Sequence, residues 1–228
     1  MKIGILVTGH ALDELQETRG DYDKIFSDLL ATKGFSSQAY FVVDQEYPES
    51  PADADGWLIT GSKHGAYEDH PWIAPLENFI RAVYADGRPM IGICFGHQII
   101  AQALGGKVVK YDKGWAVGHT EYDIQGDKMK LIAWHQDQVV ERPEAAEVIG
   151  SHPFCENAAL LYDNRILTIQ PHPEFDGEIL EMLINLRGEG LVEPDRLAKA
   201  QSGQNGPHDS LRFVDRMAQF FKEGHAHV

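Results

Sequence analysis

The stretch Pro89-Met90-Ile91-Gly92-Ile93-Cys94-Phe95-Gly96-His97-Gln98 decides the fold. Residues 89–93 are a short apolar run of the kind that is buried on both faces of a parallel sheet. The run ends in Gly-x-Cys-x-Gly, and a helical pattern begins at once, continuing to Leu104 before the stop Gly105-Gly106. Small residues two before and two after a side chain allow a tight, strained strand-to-helix turn that lifts this side chain clear of the sheet. The helix then points its free N–H groups and positive dipole end at Cys94, a setting for a nucleophilic sulfur, and the Phe95 amide faces a developing oxyanion. The competing reading is a buried cysteine used as a small hydrophobe, with glycines for helix–sheet packing. The elbow spacing outweighs it.

Outward from this turn, strands and helices alternate. Residues 2–8 form a first buried strand. Residues 22–33 set Tyr22, Ile25, Phe26, Leu29 and Leu30 at helical spacing and stop at Gly34. Residues 38–43 and 57–60 are strand-like, and 71–86 carry Trp72, Leu76, Phe79, Ile80 and Val83 on one helical face. This alternation predicts an α/β fold: a three-layer, mostly parallel open sheet with helices on both faces. Beyond Gly106 come short strand candidates at 117–124, 129–133, 147–150, 158–162 and 166–170, which predict an antiparallel extension. A helix over 177–186, a Gly/Ser/Gln/Asn-rich stretch over 201–207 and an amphipathic helix over 211–221 complete the chain. The expected organisation is one domain over residues 1–190, with 191–228 as a helical extension packed on it or on a partner.

Twenty Lys+Arg against 35 Asp+Glu give a formal net charge of −15 over 228 residues, a field that repels phosphate backbones and anionic lipid. Lys107, Lys110 and Lys113 come nearest to a basic patch, and Asp112 interrupts them. Nucleic-acid and membrane partners are therefore not expected. No run approaches the roughly 20 apolar residues of a membrane helix. The apolar N-terminal run is broken by Gly4 and ends at Thr8, too short for a secretory leader. The two cysteines, Cys94 and Cys155, fall short of a disulfide framework. A reducing cytoplasm is the expected location.

A sulfur nucleophile needs a base that hands a proton to the leaving amine, and the base needs an orienting acceptor. Gln170-Pro171-His172-Pro173-Glu174 directly follows a strand. In an extended segment residues i and i+2 point the same way, so Glu174 is placed to hold the His172 imidazole. The prolines on both sides restrict the backbone of His172. Alone, this His is as consistent with a surface loop; beside the Cys94 elbow it is the favoured base.

Gly92-Ile-Cys94-Phe-Gly96-His-Gln98, followed late in the chain by Gln170-Pro-His172-Pro-Glu174, resembles the class I (triad) glutamine amidotransferase family, close to the glutaminase part of GMP synthase. The resemblance covers most of the chain, to about Leu186. It implies a flavodoxin-like fold and a cysteine that attacks the side-chain amide of glutamine, releasing ammonia and leaving a γ-glutamyl thioester for water. It assigns nucleophile to Cys94, base to His172 and orienting carboxylate to Glu174. It also implies that Gln98 helps hold the substrate and that Leu58-Ile-Thr60-Gly61-Ser62 supplies a second oxyanion amide, at Gly61 or Ser62. The segment Lys113-Gly-Trp115-Ala116-Val-Gly118 lies where the family places a loop that contacts the substrate's α-amino and carboxylate groups. Trp115 and Ala116 are thus candidate contacts, with a plain turn as the equal alternative.

Trp134-His135-Gln136-Asp137 also offers a His and an acid at i and i+2, and is read as structural or as shaping the pocket. Cys155 lacks an elbow. His64, His70, His225 and His227 show no metal-ligand spacing, and Gly105-Gly106 is no dinucleotide loop. No metal or cofactor is expected. About forty residues follow Leu186 without an ATP-binding loop, so ammonia-accepting chemistry is expected on a separate synthase subunit or is absent. The leading expectation is a stand-alone hydrolase of the γ-glutamyl amide of glutamine or a related compound. The alternatives are a γ-glutamyl peptidase acting on substituted amides and, in another class, a catalytically silent binding module. A homo-oligomer is compatible with the sequence.

Overall fold

The computed structural model describes residues 1–223; His225 and His227 lie outside the described residues. In chain order the strands are β1 (Lys2–Leu6), β2 (Ser36–Tyr40), β3 (Gly56–Ile59), β4 (Met90–Ile93), β5 (Lys107–Lys110) and β6 (Ala116–Ile124). They continue with β7 (Asp127–His135), β8 (Asp137–Glu141), β9 (Ala146–His152), β10 (Cys155–Tyr162) and β11 (Ile166–Ile169). The helices are α1 (Asp13–Arg19), α2 (Tyr22–Ala31), α3 (Ile73–Asp86), α4 (Phe95–Ala103), α5 (Gly177–Leu183), α6 (Pro194–Gly203) and α7 (Ser210–Glu223).

The main sheet runs β2-β1-β3-β4-β11-β10-β9-β6-β7. β2, β1, β3, β4 and β11 pair in parallel, and the rest of the sheet continues antiparallel. The inner parallel strands β1, β3, β4 and β11 are covered on both faces, which explains their apolar runs, whereas the edge strand β2 is partly exposed. Side-chain alternation sorts the core into two layers. Ile3, Ile5, Leu58, Ile91, Ile93, Leu167 and Ile169 face one way, against Phe26 and Leu30 of α2 and Phe213, Met217, Phe220 and Phe221 of α7. Leu6, Trp57, Ile59, Met90 and Ile166 face the other, against Leu76, Ile80 and Val83 of α3 and Ile99 and Ile100 of α4. Gly4 sits under the Trp57 indole, where a Cβ would come within 2.2 Å of the ring.

A third cluster joins Leu15 of α1 and Ile132 of β7 to Phe175 and to Ile179, Leu180 and Leu183 of α5. α5 passes without a break into a π-helical turn at Ile184–Gly188. α1, α6 and β8 are additions to the sequence-based expectation. β5 and β8 form a separate two-stranded antiparallel sheet, so the lysine-bearing segment 107–110 is paired along one edge. Among the described residues no helix is long and apolar enough to cross a membrane.

Candidate active site

Cys94 occupies the single residue between β4 and α4, at φ 52° and ψ −100°. A non-glycine residue is held at positive φ only where the surroundings enforce it, at a cost on the order of 1–3 kcal/mol. The two glycines supply that enforcement. A Cβ on Gly92 would lie 2.6 Å from the Gly96 backbone, and one on Gly96 would lie 2.4 Å from the Ile59 carbonyl oxygen. The Cys94 amide donates to Ile169 O at 2.9 Å and the Gly96 amide to Thr60 O at 3.1 Å. The elbow is thereby tied to both neighbouring strands. The Phe95 amide opens the helix, where an N–H has no acceptor within the helix itself.

His172 is fixed from four directions. Its amide donates to Ile132 O at 2.8 Å, bridging the loop to β7. Its ring lies flat on Phe175, with centroids 4.0 Å apart and planes within 1°. Nδ1 is 2.7 Å from Glu174 Oε1, and both side chains are buried. Gly61 presses on the far edge: a Cβ there would stand 3.1 Å from His172 Cε1 and 3.8 Å from Cys94 Cβ. Burial pushes the imidazole pKa down, but the Glu174 carboxylate and the Cys94 sulfur outweigh it and raise it to about 10. With Nδ1 engaged by Glu174, Nε2 is the nitrogen left for the sulfur.

Behind the sulfur lies a chain of amides. Gln170 Nε2 donates to Cys94 Sγ at 3.6 Å. Gln98 Nε2 donates to Gln170 Oε1 at 3.1 Å and to Asp137 O at 2.9 Å. The sequence alone assigns Gln170 no role, because its contact spans 76 positions and arises only when β11 lies beside β4.

These groups open onto a cavity of about 280 Å³ whose lining includes Cys94, His172, Ser62, Gln98 and Trp115. Ala116 does not line it. As the first residue of β6, Ala116 faces instead the neighbouring cleft between β6 and α6, which shares Trp115 with the cavity. Arg196 of α6 donates to the carbonyls of Trp115 and Lys113 and lies over the Phe154 ring, tethering the 113–115 loop. Charged groups of both signs complete the wall: Glu68 and Asp137 against Lys63, Lys110 and Arg187. Burial raises the Asp137 carboxyl, and the Tyr67 hydroxyl holds it partly back.

His135 lines the same cavity but is bound to Asp137 O at 3.2 Å, and burial drives its pKa down to about 3. It is a neutral ring in the core. His97 is likewise buried, 2.7 Å from Thr168 Oγ1, and pushed down to about 3 by burial and by His135. Burial pushes the Cys155 thiol up to about 12. The loop between β3 and α3 gathers His64 and His70 around Glu68, a grouping that the sequence spacing does not disclose.

A family model described as "Glutamine amidotransferase class-I" matches residues 23–184. The chain is 31% identical over 202 residues to "Gamma-glutamyl peptidase 2" of Arabidopsis thaliana, covering 82% of each. It is 32% identical over 129 residues to "GMP synthase [glutamine-hydrolyzing]" of Clostridium botulinum, a match spanning 52% of this chain and 24% of that one. Among solved structures, a glutamine amido transferase from Methylobacillus flagellatus superposes with a TM-score of 0.78 at 20% identity, covering 99% of this chain and 95% of that chain.

Proposed function

Since this chain belongs to the class I glutamine amidotransferase family, we propose that it hydrolyses γ-glutamyl amides through Cys94, His172 and Glu174, with substituted amides, as in γ-glutamyl peptides, among its substrates. The observation that carries the reading is the His172–Glu174 contact of 2.7 Å, with His172 lining the same cavity as Cys94.

The steps follow from the geometry. His172 Nε2 already holds the proton given up by Cys94 Sγ when the sulfur attacks the δ-carbon of the γ-glutamyl group. The carbonyl electron pair moves onto oxygen, where two backbone amides receive it. One is Phe95. The other is Ser62: Gly61 O is held by the hydroxyls of Thr8 at 3.0 Å and Thr60 at 3.1 Å, and in a trans peptide this turns the Ser62 N–H to the opposite, cavity side. Collapse of the intermediate breaks the C–N bond, and His172 gives its proton to the departing nitrogen. Water, deprotonated by His172, then attacks the thioester; the C–S bond breaks, glutamate leaves, and the Cys94 sulfur is restored beside His172, which keeps the proton. Ammonia leaves when the substrate is glutamine, an amine when the nitrogen is substituted.

The charged wall suits the zwitterionic head of a γ-glutamyl group, with Asp137 for the ammonium and Lys63, Lys110 or Arg187 for the carboxylate. The peptidase leaning rests on relatives: a γ-glutamyl peptidase matches along most of both chains, whereas GMP synthase matches over a quarter of its length. In this reading a leaving group larger than ammonia lies toward the neighbouring cleft, which shares Trp115 with the cavity.

The test is glutamate release from glutamine and a panel of γ-glutamyl peptides, with Cys94→Ala as control. Cys94-dependent release, faster from the peptides, is the expected result. Turnover that survives Cys94→Ala would overturn the mechanism. A silent chain whose Cys94 still captures a glutamine-like electrophile would favour the second reading, which the GMP synthase similarity motivates: a glutaminase subunit activated by a separate synthase.

A further inference from the structure

The loop between β3 and α3 brings three side chains to one point on the cavity rim. One nitrogen from each of His64 and His70 and one carboxylate oxygen of Glu68 all lie within 4.8 Å of one another. Glu68 Oε2 is 2.7 Å from His70 Nε2 and 3.4 Å from His64 Nδ1. We propose that His64, Glu68 and His70 bind one divalent transition cation of the zinc class beside the mouth of the Cys94 cavity.

The donor set decides the class. Two imidazoles and one carboxylate are ligands for zinc and its first-row neighbours, whereas magnesium and calcium take oxygen. With bonds of about 2.0–2.2 Å, the corners of a tetrahedral site stand roughly 3.4 Å apart, which is the His64–Glu68 separation as it is. The His70–Glu68 pair needs only to open to admit the ion, and a half-exposed glutamate can turn that far.

The rings are already positioned. His64 and His70 meet edge to face with centroids 4.3 Å apart. His70 stacks on Trp72 within 9° of parallel, and His64 stands edge-on to the same indole. Trp72 is buried and packs on Phe95, so the cluster rests on the residue that opens α4. Ordering the two imidazoles, a main cost of assembling a site from mobile side chains, has been met by the fold. All three side chains remain reachable, with 23%, 43% and 33% of the His64, Glu68 and His70 side chains exposed. Three ligands leave coordination positions for water or substrate. His64 and Glu68 line the Cys94 cavity, so the ion would place its charge on the cavity wall. The inference does not depend on the hydrolase reading, because its test reads binding.

The test is titration of the purified chain with Zn²⁺ by calorimetry, in parallel with Glu68→Gln, His70→Ala and Cys94→Ala, and with Co²⁺ as a spectroscopic probe. Thermal unfolding without metal checks that the variants fold. One ion per chain is expected, with affinity weakened about tenfold or more in Glu68→Gln and His70→Ala and retained in Cys94→Ala. The Co²⁺ complex should show no thiolate-to-metal band. Absence of micromolar binding would overturn the site and leave the cluster as a pin for the loop. Equal binding by Glu68→Gln and His70→Ala, or binding lost with Cys94, would also overturn it.

Discussion

Gly96 of α4 and Ile59 of β3 meet backbone to backbone, so closely that a Cβ on Gly96 would stand 2.4 Å from the Ile59 carbonyl oxygen. That contact sets the height of α4 above the sheet, and with it the position of Cys94 and of the Phe95 amide. A backbone oxygen has no rotamer by which to move aside. Gly96→Ala is therefore expected to destabilise by about 1–3 kcal/mol, the usual cost of overpacking, and to lower turnover as α4 lifts. Gly203, in α6 with nothing within 4 Å of its Cβ position, supplies the control. Thermal midpoints of Gly96→Ala and Gly203→Ala check this; equal midpoints would contradict the close approach.

Gln170 offers a second test, because its amide donates to the sulfur from the side of the neighbouring strand β11. Gln170→Met keeps the volume and removes the donor. Loss of a hydrogen bond worth about 1 kcal/mol predicts a fall in kcat of roughly fivefold with KM little changed. Cys94 should also alkylate more slowly. A rise in KM alone would mean that Gln170 reads the substrate and leaves the sulfur to others.

What the sequence discloses and withholds follows from where each signal resides. The elbow and Pro171-His172-Pro173-Glu174 are contiguous, so both the candidate nucleophile and its candidate base are legible in the chain itself. The parallel strands are legible because burial on both faces writes an apolar run. α1 and α6 are not: each buries a single side chain, Leu15 and Ala200, too few to write a period. β8 is hidden because its partner β5 lies outside the main sheet. Arg196 and Gln170 matter through residues more than 70 positions away, and no local spacing encodes that. His64 and Glu68 are four residues apart without a helix between them, and only the folded loop makes them neighbours.

Glu174 governs the pH profile. The His172 imidazole, raised to about 10, remains the proton donor to the leaving nitrogen up to that pH and loses the proton above it. The basic limb of the rate profile should therefore lie near pH 10. Glu174→Gln removes the largest influence holding the proton, so the limb should move to lower pH, with turnover down about tenfold or more. The linkage sign is the same. A folded-state pKa above the unfolded 6.5 stabilises below pH 6.5 and is lost as pH rises through about 10. Unfolding free energies between pH 7 and 10 should fall less in Glu174→Gln than in the wild type.

Acid should act through two other histidines. His97 and His135 are buried as neutral rings with pKa values lowered to about 3, whereas both would take a proton near pH 6.5 once unfolded. The unfolded chain thus binds more protons throughout the window from about 6.5 down to 3. Each ring removes about 1.4 kcal/mol of stability per pH unit across it. His97→Asn keeps a polar atom near the Nδ1 position, opposite Thr168, and cannot titrate. It should cost some stability at pH 7 yet flatten the decline toward pH 4 by one ring's share. Denaturant unfolding at pH 7, 6, 5 and 4 measures that slope. An unchanged slope would mean that His97 is protonated in the fold, and its bond to Thr168 would then have to be that of an imidazolium.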